Sequence, residues 1–515
     1  MILQNIIRKN TYLDSIMLMS ISNTLRELDD VDEVSIIMGT SANKEILRNI
    51  GLLVSEGEKA GPGDLIIALR IKTEDMLKPV LQKVEELISQ RMIKKETREE
   101  ALPRSLDAAL RTMPQANLVL ISLPGEYAAD AAIEALEKDR HVMIFSDNVP
   151  VEQEIMLKKR ASELGLLVMG PDCGTAIIAG IALGFANVVR RGCFGIVGAS
   201  GTGIQELTTL LHKRGYGISH AIGLGGRDLS QQVRGMSMLQ GIKALEQDPE
   251  TDIIILLSKP PSPEIAKLVF DAIKSLRKKY IINFLKGDPE EARKRNLPFA
   301  AGLEEAAELA ISVLEGRSFS PALFSDSDEM IKSLVQREKK KPGRGKYLRG
   351  LFSGGTLADE ALLILSDQVG DIHSNIPLKE ELKLKDSWKS TAHTIVDMGE
   401  DEFTRGRPHP MIDYSLRIDR LLKETDDRDC GIILLDVVLG HGSHEDPAAA
   451  LVPVIQKAQK SATTQGRHIS FVASITGTNE DPQNYEKQKK AFEQAGVFIL
   501  PSNAQAARFS ALLLK

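Results

Sequence analysis

The sequence predicts an α/β fold of parallel sheets covered by helices, and three observations predict it. Short aliphatic or β-branched runs recur with few polar interruptions, as in "ANLVLISLPGEYAADAAIEALEK", "RHVMIFSDNVPVEQEIMLKKRASEL" and "TDIIILLSKPPSPEIAKLVFDAIKSL". Each run ends at a Gly, Pro or Asn turn and passes into an amphipathic helix, the order that parallel strands require. The composition, 43% hydrophobic and 26% charged, is that of an ordinary globular protein. In such sheets ligands bind where the strand–helix turns gather, at the carboxyl ends of the strands.

At 515 residues the chain exceeds one ordinary core, so about two to four domains are expected. Residues 1–100 read as a less regular α/β segment with a charged helix at "EDMLKPVLQKVEELISQRMIKKETREE". Residues 101–188 carry the first run of strand–turn–helix units, and residues 189–318 a second. Residues 319–346 mix Ser, Pro, Gly and charge and read as a linker with one helix. Residues 347–515 restart the rhythm at "YLRGLFSGGTLADEALLIL", whose "GLFSGGTLADEAL" follows the same plan as "GIVGASGTGIQEL".

The formal net charge of −6 offers no basic field for nucleic acid, and "REKKKPGRGK" reads as solvated linker. No apolar run reaches the roughly eighteen residues that span a bilayer, and "MILQNIIRKNTYLDS" lacks the order of a signal peptide. The three cysteines, Cys173, Cys193 and Cys430, form no CxxC pair. Neither disulfides nor a metal site is expected, and a reducing cytoplasm suits the chain.

The stretch "RGCFGIVGASGTGIQELTTLL" runs a strand into Ser200, Gly201 and Thr202, where a helix starts. Glycine allows an anion close to the backbone, the first amides of a helix are free, and its dipole favours negative charge. An ordinary N-cap looks the same, and the local sequence leaves both readings open. The turn lacks the Gly-Lys-Ser/Thr of a Walker loop and the glycine spacing of a dinucleotide fingerprint.

In "GIILLDVVLGHGSHEDPAAALVPVI" a strand ends at His441, Gly442, Ser443, His444 and Glu445, and Pro447 marks a helix start. A polar active-site loop, a zinc site and solvated caps are the alternatives; His441, His444 and Glu445 are the catalytic candidates. "IVDMGEDEFTRGRPHPMIDYSLR" gathers Asp397, Glu400, Asp401, Arg405, Arg407, His409 and Asp413 in one loop. Arg405 and Arg407 could grip an anionic substrate, or the loop could be a surface segment of local ion pairs. Three more strand ends, "ISLPGEYA", "FSDNVP" and "MGPDCGTAI", would line one sheet edge, with Cys173 read as a buried small residue.

The order of these motifs resembles the α subunit of succinyl-CoA synthetase over roughly residues 117 to 315. Residues 347–515 resemble the carboxyl-terminal domain of its β subunit. A chain fusing the two is identified as a member of the FdrA family of predicted acyl-CoA synthetases. The resemblance implies a CoA-binding, Rossmann-like domain at 101–188, followed by two flavodoxin-like, synthetase-type domains at 189–318 and 347–515. It implies CoA along Pro124, Gly125, Ser146, Asn148 and Pro171, and a nucleotide, with magnesium left open. It further implies a phosphate or acyl phosphate between two facing helix starts, at Ser200-Gly201-Thr202 and at Gly442-Ser443-His444.

The departures from that pattern are specific. The loop of the phosphorylated histidine reads "KGDPEEARKRNLPFAAGLEEAAELA" here, without histidine, and its orienting glutamate is replaced by Ser258-Lys259-Pro260-Pro261. No ATP-grasp domain is present. Relatives in the FdrA family are associated with oxamate carbamoyltransferase activity in ureide breakdown, so carbamoyl phosphate is the alternative substrate. A non-catalytic binding subunit is the third reading. A separately encoded partner subunit and a homodimer are the expected assemblies.

Overall fold

The computed structural model describes residues 2–9, 11, 13, 18, 21–22, 24–25, 28, 31–96, 103–259, 261–405 and 407–515. Parts of the predicted 1–100 segment, and Pro260, therefore lie outside the described residues. The chain divides into two compact units: residues 1–112 with 405–407, and residues 113–404 with 408–515.

In the first unit β1 (Ile2–Arg8) and β2 (Val31–Met38) flank β3 (Leu65–Ile71), and both pairings are antiparallel. The centre strand reads "LIIALRI" and is apolar on both faces because each face is covered. Leu65, Ile67, Leu69 and Ile71 pack with Val80, Val84 and Ile88 of the charged helix Leu77–Glu96. Ile66 and Ala68 pack with Leu47 of helix Ser41–Asn49 and with Leu52.

Among the described residues the second unit holds three sheets. β4 (Leu118–Ile121), β5 (His141–Ile144) and β6 (Val168–Met169) form a parallel sheet in that order. The next sheet runs β12-β11-β9-β10-β7-β8, from β12 (Lys279–Phe284), β11 (Ile253–Ser258), β9 (Arg191–Ala199), β10 (Ile218–Gly223), β7 (Thr175–Ile178) and β8 (Ile181–Gly184). The third is wholly parallel and runs β14-β15-β13-β16-β17-β18. Its strands are β14 (His373–Ser374), β15 (Thr394–Asp397), β13 (Tyr347–Phe352), β16 (Cys430–Val438), β17 (Ser470–Thr476) and β18 (Phe498–Leu500).

One apolar cluster joins the two six-stranded sheets. It combines Ile204, Leu207 and Leu211 of helix Gly201–Lys213 with Leu357, Ala361 and Leu365 of helix Gly355–Val369. Ala306 and Ala310 of helix Leu303–Glu315 and Ala507 and Phe509 of helix Asn503–Leu514 complete it. A helix layer common to both sheets fixes the starts of the Gly201 and Gly355 helices relative to each other. The segment read as linker carries helix Asp328–Lys339, whose Glu338 is buried and accepts hydrogen bonds from His468 and from Ser470 Oγ at 2.9 Å. Among the described residues no helix is long and apolar enough to cross a membrane.

Candidate functional site

β9 and β13 lie inside their sheets, and each ends in a small-residue turn that opens a helix. Ser200 is the N-cap of the first: its Oγ accepts from Gly203 N at 3.0 Å. The same oxygen lies 2.6 Å from Thr356 Oγ1, in the first turn of the second helix. The contact is reciprocal, for a Cβ on Gly354 would fall 2.8 Å from Thr202 Cγ2, so only glycine lets the two starts approach this closely. The helix start that meets Ser200-Gly201-Thr202 is therefore Gly354-Gly355-Thr356.

Gly442-Ser443-His444, which the resemblance placed opposite Ser200, is not itself a helix start. The helix there begins at Pro447, three residues beyond His444, and Asp446 caps it by accepting from Ala449 N at 3.1 Å. The loop still lies on the same side of the second unit. His441 N donates to Ala186 O at 2.8 Å, and Gly442 abuts the Phe185 ring. Phe185 O accepts from Thr175 Oγ1 at 2.6 Å, and Thr175 abuts Gly201. His444 packs edge-on against Tyr414, its Nδ1 accepts from Asp446 N, and burial lowers its pKa. His441 and Glu445 are exposed, and Ser443 Oγ is buried with no hydrogen bond among the described residues. Arg405 and Arg407 are exposed and cluster with the first compact unit.

Around the two facing starts the structure gathers charged groups, of which Asp359 and Lys286 were not singled out from the sequence. Asp359, in the second turn of the Gly355 helix, accepts from Lys259 Nζ at 3.2 Å and Lys286 Nζ at 2.9 Å, from the ends of β11 and β12. Burial would lower Lys259, but Asp359 and Asp397 outweigh it and hold its pKa above the ordinary lysine value. Asp397, at the end of β15, is 2% exposed; its Oδ1 accepts from Gly399 N at 2.8 Å. Burial, then the charge of Glu400, raises its pKa to about 7. His409 lies against the Phe185 ring, with centroids 5.7 Å apart; its Nδ1 accepts from Met411 N, and burial pushes its pKa down to about 4. The imidazole is thus neutral, with its Nε2–H turned toward Gly399.

A cavity of about 520 Å³ adjoins this cluster through Glu400 and Asp401, with Trp388, Lys383 and Lys385 on its other walls. The sequence contained two signals for the arrangement: the matched turns "GIVGASGTGIQEL" and "GLFSGGTLADEAL", and a lysine where the resemblance expects a glutamate.

Pro124, Gly125, Ser146, Asn148 and Pro171 do come together at the carboxyl edge of the three-stranded sheet. Pro124 is the N-cap of helix Gly125–Glu137, Gly125 lies against the backbone of Asp147 and Asn148, and Ser146 O accepts from Asp172 N. A Cβ on Gly125 would fall 2.3 Å from Asp147 O, so the chain itself fills that corner. Of the remaining residues Ser146 and Pro171 are buried and Asn148 is exposed. Among the described residues no group of three or more His, Cys, Asp or Glu is placed to hold a metal ion.

Comparison with known proteins gives three family matches: "CoA-ligase" over residues 351–513, "CoA binding domain" over 191–287, and "AllF, heavy metal-associated domain" over 1–103. Residues 1–103 contain neither cysteine nor histidine, so the last match comes without thiolate or imidazole ligands. The chain is 43% identical over 498 residues to the uncharacterized protein YahF of Escherichia coli, covering 97% of this chain and 96% of that protein. It is 32% identical over 146 residues to the α subunit of the ADP-forming succinate–CoA ligase of Methanothermobacter thermautotrophicus, and spans 48% of that subunit's length. The ATP citrate lyase of Methanothrix soehngenii in complex with citrate and coenzyme A is similar over 80% of this chain, with a TM-score of 0.36 and 13% identity.

Proposed function

Because the chain belongs to the YahF family, with CoA-ligase and CoA-binding domains like those of succinate–CoA ligase, we propose that it is an acyl-CoA ligase-like enzyme or enzyme subunit that handles a phosphate or acyl phosphate. The observation that carries this reading is the 2.6 Å approach of Ser200 Oγ to Thr356 Oγ1 at two helix starts. Two positive dipole ends converge there, with Lys259 beside Gly355 and with the first-turn amides that Ser200 and Asp436 do not occupy. A phosphoryl group beside the two starts meets those dipole ends and fills the remaining donors. The organic part of the substrate then lies in the cavity beside Trp388, and CoA along Ser146, Asn148 and Pro171.

A second reading rests on Lys259. A lysine in place of a glutamate that would steady a phosphohistidine suits direct binding of a preformed anhydride, so carbamoyl transfer from carbamoyl phosphate is the alternative. Either reaction allows a separately encoded partner subunit.

Calorimetry on the full chain with phosphate, carbamoyl phosphate, CoA and ATP tests the site. Phosphate should bind, and Ser200→Ala and Thr356→Val should each weaken it severalfold while leaving CoA unchanged. Phosphate binding that is indifferent to both substitutions sinks the reading. Tight carbamoyl phosphate with no CoA would move it to the second.

A further inference from the structure

The cavity beside Trp388 has fixed walls and an unbalanced charge. It opens at the carboxyl edge of the parallel sheet, between Asn375 after β14 and Glu400 after β15. Asn375 ties those strand ends together, donating to Asp397 O at 2.8 Å and accepting from Asp397 N at 3.0 Å. The facing wall, residues 383–388, is anchored as well. Leu384 N donates to Ser374 O at 2.9 Å, and Arg420 Nη1 donates to Ser387 O at 2.6 Å. The Trp388 ring packs edge-on against buried Phe403, with centroids 4.9 Å apart. A volume of about 520 Å³ at such an edge has the size and the place of a small-molecule site. Asp386, Glu400, Asp401 and Glu402 line it, against Lys383 and Lys385. Lys383 lies 3.8 Å from Glu380, and Asp386 lies 3.5 Å from Lys389, so each is offset by a group outside the cavity. The three carboxylates after β15 then outnumber Lys385. An indole beside carboxylates suits an organic cation, whereas a further carboxylate entering there meets repulsion.

We propose that this cavity receives the cationic end of the substrate, which is an aliphatic monocarboxylic acid carrying an amine and not a dicarboxylic acid. The proposal deepens the ligase-like reading and rests on it for the place of the carboxylate; the preference for a cation rests on the cavity alone. The ammonium sits among Trp388, Glu400, Asp401 and Glu402. Gly399, next to Glu400, lies against the turn that opens the Gly355 helix, since a Cβ on Gly399 would fall 3.0 Å from Ser353 O. The carboxylate of a substrate held by its amine is therefore directed toward that turn and away from the acidic wall. Specificity follows from sign: the same wall that holds an ammonium rejects a second carboxylate.

Trp388 is the one tryptophan of the chain, so its emission reports on the cavity directly. The probes are 4-aminobutyrate and glutarate, which differ only in an ammonium or a carboxylate at the end of the same chain, and butylamine, which has no carboxylate. In titrations of the full chain near neutral pH, 4-aminobutyrate and butylamine should shift the emission saturably. The amino acid should bind at least about tenfold tighter than glutarate. Asp401→Asn and Glu402→Gln, both at exposed positions, should each weaken 4-aminobutyrate by up to about fivefold and strengthen glutarate. Glutarate binding as tightly as 4-aminobutyrate, amine binding indifferent to both substitutions, or no emission change with any probe overturns the inference. If phosphate binds and glutarate is preferred, this inference falls and the ligase-like reading stands. If the amines bind at Trp388 and phosphate does not bind, the ligase-like reading falls and the cavity stands as a site for organic cations.

Discussion

Aligned on their first glycines, the helices Gly201–Lys213 and Gly355–Val369 pair Thr202 with Thr356 and Glu206 with Glu360 by position, yet their N-caps differ. Ser200 caps its own helix through Gly203 N, whereas Gly354 has no side chain to do so. Its turn borrows a cap: Asp436 on β16 accepts from Ser353 N at 2.9 Å, Ser353 Oγ at 3.0 Å and Gly354 N at 2.8 Å. One turn is thus a local device and the other a tertiary one. The glycine at 354 makes room for Thr202, and the acid that serves its turn stands on the neighbouring strand.

The comparison predicts very unequal losses. Asp436 is fully buried and also holds Arg417, itself 1% exposed. Asp436→Asn leaves that guanidinium without its counter-charge and turns amide hydrogens toward backbone donors. About 3–5 kcal/mol should be lost. Urea unfolding should show a lower midpoint with an unchanged slope. Ser200→Ala, the matching change in the other turn, should cost only about 1 kcal/mol. Equal losses would mean that the two turns are capped alike.

The glutamates sharpen the contrast next. Asn503 bridges them, its N donating to Glu206 at 3.0 Å and its Nδ2 to Glu360 at 2.8 Å. Glu206 also accepts from Thr476 Oγ1 at 2.5 Å, and Glu360 from Leu303 N at 2.7 Å. Burial, helped by the charges of Glu206 and Glu304, raises the Glu360 pKa from 4.5 to about 7. A folded pKa above the unfolded one means the native state binds the extra proton. The stabilisation is complete below pH 4.5 and is lost as pH rises through about 7. Within that window the wild type should lose up to about 1.4 kcal/mol per pH unit relative to Glu360→Gln. Parallel stability curves for the two proteins would show that Glu360 is ionised throughout.

Much of this was legible in the sequence, for identifiable reasons. The strands at 191–199 and 347–352 and the helices that follow them announce themselves by apolar runs and small-residue turns. The edge formed by Gly125, Ser146, Asn148 and Pro171 follows from three strand ends in order. The pairing of the two helix starts was not legible, because Ser200 and Thr356 are 156 residues apart and meet only through the shared helix layer. The helix start at Pro447 was legible from the proline itself, and only the resemblance placed it at Gly442-Ser443-His444. Asp397 was visible as one acid among several in its loop. Its approach to Gly355, a residue on another strand's turn, was not.

The smallest expected effect isolates the contact itself. Ser200 Oγ and Thr356 Oγ1 are both buried and 2.6 Å apart, so one hydroxyl donates to the other. Ser200→Ala removes that bond together with the Gly203 cap, and Thr356→Val removes the bond while keeping the β-branched shape. The single losses therefore contain different extra terms and cannot be compared directly. The double mutant removes both partners, so neither hydroxyl is left buried and unpaired, and its loss should be less than the sum of the singles. A coupling of about 0.5–1.5 kcal/mol is expected from urea unfolding of the four proteins. Adding saturating sulfate should change that coupling, because the anion offers both hydroxyls a new acceptor in place of each other. Strict additivity, with and without sulfate, would mean that the two helix starts touch without communicating, and the self-capped and borrowed-cap turns would be independent features of the fold.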